Sequence, residues 1–404
     1  MRHGIVKSRG FAFAAATLSL CAVFAASATP IPLYAIYRAE DGLTYADLSL
    51  TAVSYFAGAI TALLVFGRLS NHLGRRPVSL MSLALAEASC VLLLDVPSAT
   101  PLIGGRVLLG LACGLASSAI AAFIADNAPP SPWLAPAITC SGPMVGLTIG
   151  AIGSGAVIRS GQMVHTLPYL IVMGALAVCA VLVLMARETV SRRPGVLASL
   201  RPAIALPEKS RRLFPVACCI FAATWGLGGF YQAFGPSMAT DLLGSDDALV
   251  SAAVFSSLMA PGAIGGALAG RMPPARAQRL GMICFAAALA CVLLSLRAAA
   301  VLPFLAASLA TGIAQGAVLT ASIRGLLAHA SMAERAGVFS VIFATSYCGA
   351  AFSSFAAGQF ARELSLLQVA CGFGMLAGLV CAITLVAARN PACFQECAVE
   401  ENAA

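Results

Sequence analysis

Charge is what this chain has least of. Only 10% of its 404 residues are Asp, Glu, Lys or Arg, and just 16 are acidic. A water-soluble protein of this length needs far more charge on its surface to stay dispersed, so a soluble globular fold is excluded. The 14 cysteines form no Cys-x-x-Cys pair and no Cys/His cluster with ligand spacing, so neither a metal nor another cofactor is expected. Cys393 and Cys397 in the tail are the one pair with a spacing near that of a ligand motif, and the adjacent Cys218 and Cys219 point to different sides of one helix. No Gly-x-x-x-x-Gly-Lys-Ser/Thr loop is present, which argues against ATP drive. A Gly-x-Ser-x-Gly elbow and an HExxH motif are missing as well, which argues against common hydrolases.

What is there is apolar. Hydrophobic residues make up 60% of the chain, and the mean hydropathy is +0.92. A membrane-crossing helix needs about 20 mostly apolar residues, and in lipid the backbone must bond to itself. The runs are too continuous for the alternation of a barrel. Twelve helical spans are predicted, at residues 11–36, 45–66, 77–98, 101–125, 132–157, 167–186, 213–236, 248–269, 279–297, 299–323, 336–359 and 365–388. The basic, proline-containing segment 187–212 separates six spans from six. The expected organisation is therefore a bundle over 1–186, a linker over 187–212, a second bundle over 213–388 and a tail over 389–404.

Lys and Arg orient such a chain, because they concentrate in cytoplasmic loops. With both termini inside, 19 of the 24 basic residues fall on the cytoplasmic side. Arg38, Arg159, Arg297 and Arg362 fall outside, and Arg106 falls within span 4. The net charge of +8 thus reads as a topology signal and not as a nucleic-acid surface. The start, MRHGIVKSRG followed by an apolar run and AASA, has the form of a secretory signal peptide. It is read instead as an ordinary first span, because its removal breaks the six-plus-six symmetry.

A shift of 203 residues aligns the halves: Gly67-Arg68-Leu69 falls on Gly270-Arg271-Met272, Arg76 on Arg279, and Gly146 on Gly349. Internal repeats of this kind are the usual build of secondary transporters. Residues 67–76, GRLSNHLGRR, lie between spans 2 and 3. They resemble the Gly-x-Leu-Ala-Asp-Arg-x-Gly-Arg-Arg signature of the major facilitator superfamily. Gly67, Leu69, Gly74, Arg75 and Arg76 match; Ser70, Asn71 and His72 replace Ala, Asp and a basic residue. The resemblance implies an all-α polytopic membrane protein, with twelve transmembrane helices in two pseudo-symmetric six-helix halves. It further implies that the loop is a latch between halves, in which Asn71 brings no negative charge. Asp126 at the end of span 4, with Arg335 at the start of span 11, is the expected substitute pair. The alternative is a loop that serves topology alone.

Arg106, Gly110 and Gly114 in span 4 fit the arginine-and-glycine pattern of the superfamily. Arg106 has either a cavity or coupling role, or a structural one in which it snorkels to the surface. In span 5, Gly142, Pro143 and Gly146 partly match an antiporter signature, with Leu147 replacing its last glycine. Gly142, Gly146 and Gly150 form a smooth face, as do Gly262 and Gly266 in span 8. The two faces are expected to meet across the halves, with pure packing as the alternative. Spans 1, 4, 7 and 10 are implied to line the cavity. The candidates there are Tyr34, Arg106, Trp225, Tyr231, Gln232 and Gln315, although Tyr34 and Tyr231 also suit interfacial anchors. Glu87 in span 3 is the one carboxylate near a span centre, and its role is either proton relay or structure.

The expected function is proton-coupled efflux of a small organic compound, neutral or anionic, by a monomer in the lipid bilayer of the inner membrane. Proton-coupled uptake by the same fold is the second reading. A polytopic membrane enzyme or a sensor is the third, and the short loops argue against both.

Overall fold

The structure, a computed structural model, describes residues 8–130, 134–201, 206–328, 330 and 334–391. The side chain of Arg335 and the tail cysteines Cys393 and Cys397 lie outside the described residues. Among those residues every regular element is helical. The long helices are α1 Arg9–Glu40, α2 Tyr45–Phe66, α3 Arg75–Leu92, α4 Ala99–Asn127, α5 Leu134–Arg159, α6 Leu167–Met185, α7 Phe214–Leu242, α8 Ala248–Ala269, α9 Pro274–Arg297, α10 Val301–Leu327, α11 Arg335–Phe360 and α12 Leu366–Ala387. Eleven of them are long and apolar enough to cross a membrane. The helix missing from that set is α3. It lies where span 3 was expected, but Arg75, Arg76 and Glu87 lower its apolar share.

Local chemistry sets the ends. Ser8 Oγ accepts from Phe11 N at 3.1 Å and starts α1. Thr44 with Asp47 and Ser365 with Gln368 form capping boxes at α2 and α12, each satisfying otherwise orphan donors of a first turn. Pro30 and Pro32 lack the N–H that a continuous helix needs, so α1 passes through a tighter turn at Ile31–Leu33. Before Pro261 the backbone of α8 likewise divides into Ala248–Met259 and Gly262–Ala269.

The chain forms two compact units. The first comprises Met1–Pro202 with Gln232–Thr240 and Ser245–Ser256; the second comprises Ala203–Tyr231, Asp241–Gly244 and Ser257–Ala404. In the first unit Arg38 Nη1 donates to Ser237 Oγ at 3.1 Å, and Arg159 pairs with Asp247 at 3.4 Å.

The 203-residue register is a register of packing. A Cβ on Gly146 of α5 would lie 2.5 Å from Cys21 O of α1. A Cβ on Gly349 of α11 would lie 2.7 Å from Ala222 Cα of α7. Both helix pairs therefore touch backbone to backbone, which only glycine permits. The same correspondence holds at the helix ends. Arg76 Nε donates to Val183 O at 3.1 Å, and its Nη2 to Leu184 O, at the end of α6. Arg279 Nη2 donates to Ala388 O at 2.7 Å, at the end of α12. In each unit an arginine on the third helix thus satisfies carbonyls that end the sixth, and those groups have no intrahelical partner.

The glycine faces of spans 5 and 8 require a correction. Gly142, Gly146 and Gly150 of α5 lie against Leu20, Cys21 and Ala25 of α1. On α8, Gly266 lies against Thr320 of α10 and Gly262 near Gly312 O. Both faces are used inside their own units, where small residues let helices approach closely. α5 and α8 meet elsewhere, at Gly155, whose added Cβ would be 2.7 Å from Ala248 O.

Candidate functional site

In the first unit the site is built around Arg106. α4 crosses α2 closely at Gly110 and Gly114, where an added Cβ would strike Tyr55 O and Ala59 O. That close crossing brings the Arg106 guanidinium within 4.6 Å of the Tyr55 ring centroid. Nη1 donates to Ser27 O of α1 at 2.6 Å. Arg106 is fully buried, so the guanidinium does not snorkel. Nε and Nη2, together with the nearby Ser27 Oγ, are buried without a hydrogen-bond partner among the described residues. No carboxylate pairs with it there. A buried cation without an anion costs several kcal/mol. In general, the Nε/Nη2 edge of a guanidinium is a fork that can hold a carboxylate or phosphate through two parallel bonds.

The other expected cavity residues separate into two kinds. Tyr34 and Tyr231 are buried inside the protein, which removes the interfacial-anchor reading. Tyr34 OH accepts from Thr51 Oγ1 at 3.4 Å. Tyr231 OH shares a 2.8 Å hydrogen bond with Ser308 Oγ, and its ring stacks on Phe304. Gln232 is also buried. Trp225 is half-buried and meets Tyr347 edge to face at 4.9 Å. Gln315 Oε1 of α10 and Glu87 Oε2 of α3 are buried without a hydrogen-bond partner among the described residues. Trp225, Tyr231 and Gln315 belong to the second unit, whereas Arg106, Glu87, Tyr34 and Gln232 belong to the first.

The loop between α2 and α3 is a hydrogen-bonded clasp within the first unit. Ser70–Leu73 makes one helical turn, and Gly67 ends α2 just before it. Gly74 then takes φ +103°, which a side chain rarely tolerates. Arg75 Nη1 donates to Ser70 Oγ and Asn71 Oδ1, each at 2.7 Å. Its Nε pairs with Asp126 Oδ2 at 2.9 Å. Asp126 is therefore engaged by Arg75, and also accepts from Thr189 Oγ1 at 2.9 Å. The expected pairing of Asp126 with Arg335 involves a side chain outside the described residues. Leu69 is buried in an apolar cluster with Ala62, Val78, Leu115 and Ala119.

Glu188 escaped the sequence reading. Its Oε1 accepts from Arg75 N at 2.9 Å, and its Oε2 from Arg76 N at 2.9 Å. It caps the start of α3 from just beyond the end of α6. Asn390 Oδ1 does the same for Ala275 N of α9 at 2.9 Å, from just beyond α12. The available signal was a lone acid opening an otherwise basic segment, RETVSRR.

Comparisons with known proteins agree with this architecture. A point mutant of the nucleoside transporter NupG matches with a TM-score of 0.71 at 11% identity, over 94% of this chain and 100% of that one. A bacterial homolog of the human lysosomal transporter Spinster, in an inward-facing and unoccupied conformation, matches with a TM-score of 0.73 at 18% identity, over 94% of this chain and 97% of that one. At such identities these likenesses show the fold alone. A search of curated proteins gives no significant match. The family description of the Major Facilitator Superfamily matches residues 16–301. The chain belongs to the Major Facilitator Superfamily, a membrane transporter with that superfamily's fold.

Proposed function

We propose that the protein is a secondary transporter that exports a small organic compound by alternating access, driven by inward proton flow across the inner membrane. The observation that carries the reading is Arg106, a fully buried cation whose Nε and Nη2 have no partner among the described residues. Such a group is retained where an anion or a strong acceptor meets it during the cycle. A neutral or anionic substrate fits that fork, and a cationic one is repelled by it. A guanidinium is not a proton carrier. The coupling proton then needs another carrier, and Glu87 on α3 is the candidate within the first unit. Import by symport is the second reading, since the antiporter signature at Gly142, Pro143 and Gly146 is only partial.

The test uses inverted vesicles holding a preformed proton gradient. Addition of the transported compound discharges the gradient only when the protein is present. With that compound in hand, Arg106→Gln raises the half-saturating concentration of an anionic substrate at least about tenfold, since hydrogen bonds to charged groups contribute about 1.5–3 kcal/mol. No discharge in inverted vesicles, with accumulation in right-side-out ones, replaces export by import. Unchanged transport by Arg106→Gln removes Arg106 from the mechanism.

A further inference from the structure

A cleft of about 330 Å³ opens between the start of α3 and the segment that follows α6. Leu73, Arg76, Pro77, Leu80, Glu188, Val190 and Arg192 line it. It holds two guanidinium groups and one carboxylate, yet that carboxylate is already engaged. Glu188 accepts from the backbone N–H groups of Arg75, Arg76, Thr189 and Val190, so its charge is taken up by the first turn of α3 and its own loop. Among the described residues neither Arg76 nor Arg192 is in an ion pair. The free charge of the cleft is therefore positive.

The remaining lining is apolar, and it continues onto faces that nothing among the described residues covers. Val181, Leu184 and Met185 near the end of α6, and Met81 on α3, are all exposed. Both helices are at their ends here, and the end of a membrane-crossing helix is where hydrocarbon gives way to headgroups. A soluble anion has no use for the apolar rim. We propose that this cleft binds one anionic phospholipid, its phosphate held by Arg192 and Arg76 and its acyl chain lying along Pro77, Leu80 and the outer face of α6. Arg76 already commits Nε and Nη2 to α6 carbonyls, so Arg192, which is exposed, is the principal anchor.

The experiment is native mass spectrometry of the full chain released from bilayers of phosphatidylcholine with phosphatidylglycerol. The wild type retains one phosphatidylglycerol in preference to phosphatidylcholine. Arg192→Ala loses about fivefold of that preference, the value of one basic residue at a lipid surface. Arg211→Ala, which removes the same charge outside the cleft, leaves the preference in place. A second measurement places tryptophan in the cleft as Leu80→Trp; brominated phosphatidylglycerol quenches it more than brominated phosphatidylcholine does. Equal losses in Arg192→Ala and Arg211→Ala overturn the site in favour of general surface charge. Displacement of the lipid by millimolar inorganic phosphate overturns the lipid in favour of a soluble anion, and equal quenching by both brominated lipids removes the headgroup preference.

Discussion

The clasp at Glu188 makes a prediction whose size follows from its bonds. Glu188→Ala leaves Arg75 N and Arg76 N without their side-chain acceptor, and frees Thr189 N and Val190 N to water. Losing a helix cap costs about 1–2 kcal/mol. Losing a negative charge at a helix N-terminus adds about 0.3–1 kcal/mol. Together they destabilise the first unit by roughly 2 kcal/mol. In a cooperative unit of about 200 residues, each kcal/mol moves the melting midpoint by about 2–4 °C, so a drop of about 4–8 °C is expected by circular dichroism in detergent. Glu188→Gln keeps one acceptor oxygen, and its drop is about half as large. Gly74 supplies the cross-check. A Cβ there would lie 2.7 Å from Glu188 Oε2, on a residue at φ +103°. Gly74→Ala therefore incurs backbone strain of about 1–3 kcal/mol and also displaces the carboxylate. Once Glu188 is already Ala, only the strain remains, so the double variant falls short of the summed losses by about 1 kcal/mol. A Glu188→Ala midpoint within about 1 °C of wild type, or full additivity of the pair, refutes the capping argument.

Two further predictions concern the same fold. Asn71→Asp replaces a neutral acceptor of Arg75 Nη1, 2.7 Å away, by a charged one. At this exposed site the gain is about 0.5 kcal/mol, read as a small rise in melting midpoint that disappears in high salt and in an Arg75→Gln background; a fall, or a salt-independent rise, contradicts it. Gly146→Ala and Gly349→Ala force helix backbones apart, each at about 1–3 kcal/mol, whereas Gly174→Ala and Gly378→Ala meet open space and leave stability unchanged or raise it by up to about 1 kcal/mol. The sign difference between the two pairs in thermal melts is the check, and four equal effects defeat the packing argument.

Hydropathy made the helical class legible, because lipid leaves a long apolar run no structure but a helix; α3, with Arg75, Arg76 and Glu87, is the expected span that falls outside the eleven apolar ones. The repeat was legible too: Gly146 with Gly349 and Arg76 with Arg279 mark positions where backbones touch or a helix end needs a donor. Side-chain partners were not legible in the same way. Asp126 is expected beside Arg335 as the substitute charge pair, yet Arg75, 51 positions earlier in the chain, is the residue that reaches it. Glu188 sits among arginines and reads as one solvated charge in a linker, until folding brings the start of α3 beneath it. The glycine faces show the same limit. Spacing of four residues specifies that a helix has a smooth side, but nothing in that spacing specifies the neighbour. Leu20, Cys21 and Ala25 of α1 cover the α5 face, and α1 carries no matching glycine row that announces it. Arg106 differs, because burying a cation is so costly that its place in a span singles it out in the sequence. Its unpartnered Nε and Nη2 turn that general expectation into a defined fork. The residues that declared themselves in sequence are therefore those whose cost is intrinsic, a charge or a missing side chain within a membrane helix. Those that stayed hidden are ones whose value is purely relational.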